Sequence, residues 1–133
     1  MLAKSGNWVE MRWYSEEDLP AMVGIHRQSF RREKWSKERF RKFAERDGHV
    51  LKVAVCEGEV IGTLLYAVRG GMLDIRRLAV REDKHRDGVG KLMLQSIVSG
   101  TSLFRVRVRE SNITGQLFFA GLGFKAVEPF IQS

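Results

Sequence analysis

The chain has a single cysteine, Cys56, in its 133 residues, so no disulfide can form within it, and a reducing, cytoplasmic setting is expected. Three scattered histidines beside that cysteine do not make a metal cluster, and no metal is expected. No apolar run approaches the roughly 20 residues a membrane span needs, and the opening MLAKSGNW lacks a signal-peptide core. Membrane partners are therefore not expected. Prolines number two, and no internal repeat, low-complexity tract or linker interrupts the chain, which points to a single domain over residues 1–133. Acidic residues are also in deficit, 16 against 23 Lys and Arg, for a net charge of +7. That balance suits a polyanionic partner: nucleic acid, an acidic polypeptide or a multiply phosphorylated cofactor. Part of the excess is local, since Arg31 to Arg46 holds eight basic residues and three acidic ones. A solvated helix face explains such a run equally well.

Hydrophobic residues make up 44% of the chain, enough for an ordinary globular domain that buries roughly two-thirds of its unfolded surface. Val9 to Tyr14 alternates as a first strand. Ser15 to Asp18 has the form of a capping box, and Leu19, Met22, Val23, His26 and Phe30 then repeat at helical spacing. His26 lies on that apolar stripe and reads as a structural histidine. Ser36 opens a second helix, with Phe40, Phe43 and Ala44 inward, that ends near Asp47-Gly48. Val50 to Cys56, the Glu57-Gly58 turn and Val60 to Val68 form a hairpin. Gly70-Gly71 turns into a further strand marked by Leu73, Ile75, Leu78 and Val80. Lys91 to Val98 is amphipathic, Leu103 to Val108 is a strand, and Asn112 to Leu122 is a helix closed by Gly123. Phe124 to Val127 is a last strand. The order is β-α-α-β-β-β-α-β-α-β.

Between the third strand of that meander and the helix after it lies His85-Arg86-Asp87-Gly88-Val89-Gly90, in the stretch MLDIRRLAVREDKHRDGVGK from Met72 to Lys91. Glycines at a strand-to-helix turn permit positive φ and close approach of a ligand to the backbone. The first amides of the helix lack intrahelical partners and sit at its positive end, which suits a phosphate. A lone GxG is also plain turn chemistry; its surroundings decide.

The element order, LAV before HRDGVGK, and RESN followed by GLGF together resemble the GNAT superfamily of acetyl-CoA-dependent N-acetyltransferases, over about Met11 to Val127. SFRREKWS and Val108-Arg109-Glu110-Ser111-Asn112 add a likeness to its RimI-type branch, which acetylates the N-terminal amine of a ribosomal protein. The resemblance implies an α/β (α+β) fold, a single mixed and largely antiparallel sheet with about four helices. It implies acetyl-CoA as the cofactor, with the CoA pyrophosphate on the amides of Arg86, Asp87, Gly88, Val89, Gly90 and Lys91. His85 stands where the family motif has Gln or Arg. Leu78, Ala79 and Val80 would pair with the pantetheine arm as with an extra strand, and Asn112 matches the asparagine that contacts the cofactor. An ordinary buried strand is the plain reading of Leu78 to Val80, and the two are compatible.

The chemistry implied needs a base for the acceptor amine, a hydrogen-bond donor for the carbonyl oxygen that gains charge, and a proton for the departing thiolate. RimI-like enzymes use a glutamate and a tyrosine whose positions are Arg107 and Phe119 here, and neither side chain can do that work. The two tyrosines, Tyr14 and Tyr66, lie elsewhere. Asp74, four residues before Leu78, matches the position of the catalytic base in some members of the superfamily, although Arg76 and Arg77 beside it would make it a poorer base. Glu110 is a weaker candidate. Arg105, Arg107 and Arg109 alternate and share one strand face, either as a basic acceptor groove for an acidic peptide or a phosphorylated amine, or as cations solvated or neutralised by Asp74, Glu110 or CoA phosphates.

Three functions follow for testing. The first is acetyl transfer from acetyl-CoA to a primary amine, with an acidic peptide or a protein N-terminus among the acceptors. The second is an acyl-CoA-binding module with weak or no catalysis. The third, a basic RNA- or ribosome-binding protein, lacks a ribonucleoprotein aromatic motif, so nucleic acid is the least favoured partner and ribosome association enters through a ribosomal acceptor. Monomer and homodimer both remain open.

Overall fold

Residues 1–97, 103–106 and 113–123 are described by the computed structural model. The elements are β1 (Glu10–Trp13), α1 (Leu19–Ser29), α2 (Lys37–Glu45), β2 (His49–Cys56), β3 (Glu59–Arg69), β4 (Met72–Val80), α3 (Val89–Gln95), β5 (Leu103–Val106) and α4 (Ile113–Gly121). Their order and type follow the sequence expectation. The strand expected at Phe124 to Val127, and positions 107–108 of the fifth, lie outside the described residues.

The five strands form one sheet in the order β1-β2-β3-β4-β5. The first four are antiparallel to their neighbours, and β5 runs parallel to β4. This mixed sheet follows from its connections. Glu57 and Gly58, and then Gly70 and Gly71, all take positive φ, as tight two-residue hairpin loops require. The β4-to-β5 link instead contains α3, and a crossover of that length returns the chain parallel.

Each face of the sheet has its own core. On one, α3 and α4 cover Leu64, Tyr66 and Ile75 with Val89, Met93, Leu94, Phe118 and Phe119. On the other, Leu19 and Met22 of α1 and Phe40 and Phe43 of α2 cover Leu51, Val53 and Leu65. Ser36 caps α2 as expected, its hydroxyl accepting from the Arg39 amide at 3.2 Å. The Ser15–Asp18 box is also formed, with the Ser15 amide donating to Asp18 Oδ2 at 2.7 Å. It opens a 3-10 turn over Glu16–Asp18, however, and α1 begins only at Leu19. Pro20 explains the difference, because it has no amide to donate to the Glu16 carbonyl, which the Leu19 amide takes instead in a 3-10 turn, while both Asp18 oxygens hold the Arg12 guanidinium of β1 at 2.7 and 2.9 Å.

His26 is structural, as its place on the apolar stripe suggests. It is 0% exposed, its Nε2 lies 2.6 Å from Thr63 Oγ1 on β3, and its ring meets Phe40 edge-on. Burial, with the nearby charge of Arg77, lowers it from 6.5 to about 3. In the unfolded chain this imidazole takes up a proton as pH falls through 6.5, whereas the folded chain resists until near 3. Stability is therefore lost on acidification across that window, by roughly 2 kcal/mol at pH 5. Burial lowers His49 too, which adds in the same direction. Urea titrations at pH 7.5 and 5 should show this loss, and His26→Gln should remove most of it. An unchanged pH dependence in the variant would show that His26 is not its source.

Candidate cofactor and acceptor site

Strand β4 is paired unequally on its two edges. Its β3 partner accompanies it to Val80, but pairing with β5 runs only from Met72–Leu103 to Ile75–Val106. Among the described residues no strand covers the other edge from Arg76 to Val80. The backbone bends at the same place. Tyr66 pairs with Ile75 and Leu65 with Arg77, so Arg76 is the extra residue of a β-bulge. Leu73, Ile75, Leu78 and Val80 thus all serve the α3–α4 core, and Asp74 and Arg77 take the opposite face. The three-residue step from Ile75 to Leu78 in an otherwise alternating pattern is the sequence signal for this bulge. Leu78, Ala79 and Val80 lie on the uncovered edge.

The chain then leaves β4 through a braced connector. Arg81 bridges Glu59 at 2.9 Å and Asp83 at 2.6 Å, and the Glu82 amide donates to the Gln28 side chain of α1 at 3.0 Å. The His85 ring folds back so that Nε2–H donates to the Val80 carbonyl at 2.7 Å. This joins the end of the strand edge to the start of the glycine turn. Arg86 and Gly88 both have positive φ, 67° and 75°. Helix α3 begins at Val89, two residues earlier than the amphipathic pattern alone suggests. None of the amides from Arg86 to Lys91 has a hydrogen-bond partner among the described residues. Consecutive amides around left-handed residues form a concave, anion-seeking nest. Gly90 serves the packing of the helices instead. A Cβ there would lie 3.2 Å from Phe118, so its absence lets α4 close over the start of α3.

On the opposite face of β4 the electrostatics are concentrated. Asp74 is 6% exposed, and its Oδ2 accepts from Arg76 Nε at 3.1 Å and Arg105 Nη2 at 3.2 Å. Arg77, which the sequence placed beside Asp74, instead serves the α1–α2 loop. Its guanidinium lies 4.3 Å from the centre of the Phe30 ring and 5.0 Å from that of Trp35, donates to the Glu33 carbonyl at 3.2 Å and pairs with the Glu33 carboxylate. Phe119 packs with Phe118 against the α3–α4 core. Arg107, Arg109, Glu110 and Asn112 lie outside the described residues. Among the described residues no group of His, Cys, Asp and Glu could hold a metal, and no helix is long and apolar enough to cross a membrane.

The acetyltransferase (GNAT) domain profile matches residues 10–133. The chain belongs to the GNAT acetyltransferase family. No curated protein sequence matches it, but solved GNAT structures do. It is similar to the ribosomal-protein-S18-alanine N-acetyltransferase of Escherichia coli at 21% identity and a TM-score of 0.77, over 91% of this chain and 80% of that one. The PaiA N-acetyltransferase of Thermoplasma acidophilum, in complex with coenzyme A, matches at 22% identity and TM-score 0.77, over 92% of each chain. An aminoglycoside acetyltransferase from an uncultured soil metagenomic sample, in complex with sisomicin, matches at 19% identity and TM-score 0.72, over 94% of this chain and 93% of that one.

GNAT enzymes use acetyl-CoA, and among the described residues a strand edge that no other strand covers, with its Val80 carbonyl held by His85, runs into amides without partners, an arrangement compatible with that cofactor. The residue that sequence reasoning undervalues is Arg77. It is only 8% exposed and ties the loop Phe30–Trp35, with its exposed Arg31, Arg32 and Lys34, to the strand carrying Leu78. Arg77→Met keeps an apolar stem and removes the tether. Trypsin should then cut after Arg31, Arg32 or Lys34 faster, by about fivefold for each kcal/mol of loop closure lost. Equal cleavage of wild type and variant would mean that ring packing alone holds the loop.

Proposed function

We propose that this GNAT chain moves an acetyl group from acetyl-CoA to a primary amine of low intrinsic basicity, with a protein N-terminus as the favoured acceptor. The observation that carries the reading is the continuity of the β4 edge with the amide nest. Leu78, Ala79 and Val80 offer extended backbone to the pantetheine arm, and Arg86, Asp87, Gly88, Val89, Gly90 and Lys91 offer main-chain donors to the pyrophosphate. His85 supports both by holding the Val80 carbonyl. Asn112 is assigned to the cofactor through its place in the family motif. When bound, acetyl-CoA supplies the activated acetyl thioester.

Asp74 is the proposed base. It stands at the last stretch of paired β4, just before the uncovered edge opens. Oδ2 is occupied by Arg76 and Arg105, while among the described residues Oδ1 accepts no hydrogen bond and is the atom that would take the acceptor proton, directly or through water. Arg76 and Arg105 keep much of their surface exposed, and Arg31, Arg32 and Lys34 stand exposed on the loop over the same face. This rim favours an acceptor with acidic residues near its amine and disfavours a polycation such as an aminoglycoside. The likeness to the RimI-type branch agrees with such an acceptor.

A second reading is an acyl-CoA-binding module without turnover, favoured by Phe119, which has no ionisable group for the thiolate. RNA binding gains less support, because Phe40 and Phe43 are core residues and Arg41 is engaged by Glu16 and Glu38.

Calorimetry with CoA and acetyl-CoA should give saturable binding, and absence of heat at millimolar cofactor would remove the reading. Free-thiol release with acidic and neutral N-terminal peptides separates enzyme from binding module: the enzyme should turn over acidic peptides fastest. Asp74→Asn should keep CoA affinity and lower turnover by more than about tenfold. An undiminished rate would clear Asp74 of the role of base.

A further inference from the structure

Residues 2–8, which carry no motif, fold into a small hairpin that ends on the glycine turn. Leu2 bridges Trp8, the Ala3 amide donates to the Asn7 carbonyl at 2.9 Å, and the Val9 amide donates to the Met1 carbonyl at 2.8 Å. Buried Ala3 and Val9 root this hairpin in the core that holds Val89 and Met93 of α3. Its tip grips Asp87 three times. The Ser5 amide donates to Asp87 Oδ1 at 2.6 Å, Ser5 Oγ donates to Oδ2 at 2.7 Å, and the Lys4 amide donates to the Asp87 carbonyl at 3.0 Å.

A carboxylate inside an anion-binding nest opposes any phosphate placed there. Each Asp87 oxygen accepts one hydrogen bond from Ser5, which turns the carboxylate to the hairpin but leaves its charge, so a cation beside the nest is needed to offset it. The same contact lays the Lys4 side chain over Gly88: a Cβ built on Gly88 would meet Lys4 Cγ and Cε, each at 3.6 Å. The ammonium is one bond beyond Cε and pairs with no carboxylate among the described residues. Next to it, the amides from Arg86 to Lys91 also lack partners there.

From this geometry we infer that Lys4 is a cofactor-binding residue which adds a cation to the pyrophosphate nest, and that Ser5 positions it by holding Asp87. The inference rests on the acetyl-CoA site proposed above. It adds a segment outside the matched residues 10–133 to that site. A pyrophosphate that bridges the amide nest and an ammonium gains a charge-assisted hydrogen bond that the amides alone cannot supply.

Lys4→Met retains the cover over Gly88 and removes only the charge. Calorimetry at low salt should show CoA affinity about fivefold weaker than wild type, with a flatter dependence on salt. The melting curve should be unchanged, and Lys4→Arg should restore affinity. The same loss must appear with 3′-dephospho-CoA, which keeps the pyrophosphate. A loss seen with CoA but not with 3′-dephospho-CoA would place Lys4 on the 3′-phosphate and overturn the assignment. Equal affinity of Lys4→Met and wild type would overturn it as well. Wild-type protein that binds no CoA would instead sink the underlying cofactor site, a result distinct from either.

Discussion

The site proposed on this sheet depends on β4 being paired with β3 along one edge and, among the described residues, with β5 over only four residues along the other. Backbone donors and acceptors on a strand edge demand partners, and soluble folds usually cover or blunt such an edge. Here the uncovered length from Arg76 to Val80 begins at a bulge and ends beside a turn whose amides are also unpaired among the described residues. These two stretches lie end to end, and the proposed cofactor, extended at one end and phosphorylated at the other, would span both. Close packing of α3 keeps them aligned. A Cβ at Gly62 would lie 2.8 Å from Met93 Sδ, and one at Gly90 would press on Phe118. The bare backbone of Gly62 lets α3 approach β3 this closely, and that of Gly90 lets α4 close over the start of α3.

The charge excess looks different once its members are placed. Arg12 is held by Asp18, Arg41 by Glu16 and Glu38, Arg81 by Glu59 and Asp83, and Arg77 by Glu33. These arginines fasten elements to one another: β1 to the turn before α1, α2 to that same turn, β4 to β3, and β4 to the α1–α2 loop. These pairs leave the net charge of +7 intact, because it already counts their acidic partners, and the excess resides in the remaining Lys and Arg. Among the described residues the cations near the proposed site are Lys4, Arg86 and Lys91 at the turn, the exposed parts of Arg76 and Arg105 around Asp74, and Arg31, Arg32 and Lys34 on the loop over the same face.

Local patterns make most of the architecture readable. Alternation marks the strands, paired glycines and Glu57-Gly58 mark the hairpins, and Ser36 marks the start of α2. Long-range partners are not readable in the same way. Asp18 is legible as a capping residue, but its salt bridge to Arg12 joins it to a neighbouring strand. Arg77 and Glu33 are 44 positions apart, and Ser5 and Asp87 are 82 apart. No periodicity encodes such pairs. The bulge at Arg76 is different, because the step from Ile75 to Leu78 is visible in the sequence and only its meaning needs the register. The segments proposed for the cofactor can be picked out in the sequence because they are contiguous in the chain, whereas the proposed acceptor side is assembled from β4, β5 and a loop.

The arginines around Asp74 bear on the acceptor as well as on the base. Before attack, the amine must be neutral. At pH 7 roughly one α-amine in ten is already neutral, against about one lysine side chain in 2,500. A cationic wall moves both equilibria towards the neutral form, since a like charge disfavours the ammonium. In the proposed mechanism Arg76 and Arg105 would thus help an approaching amine lose its proton while they hold Asp74 in place to receive it. For an α-amine this help completes a deprotonation that is already partly achieved. For lysine it leaves nearly the whole cost to one carboxylate oxygen, Oδ1 of Asp74. The proposed preference for an α-amine therefore rests on that amine's own lower basicity, which the two arginines and Asp74 would leave in force before any contact with the rest of the substrate is made.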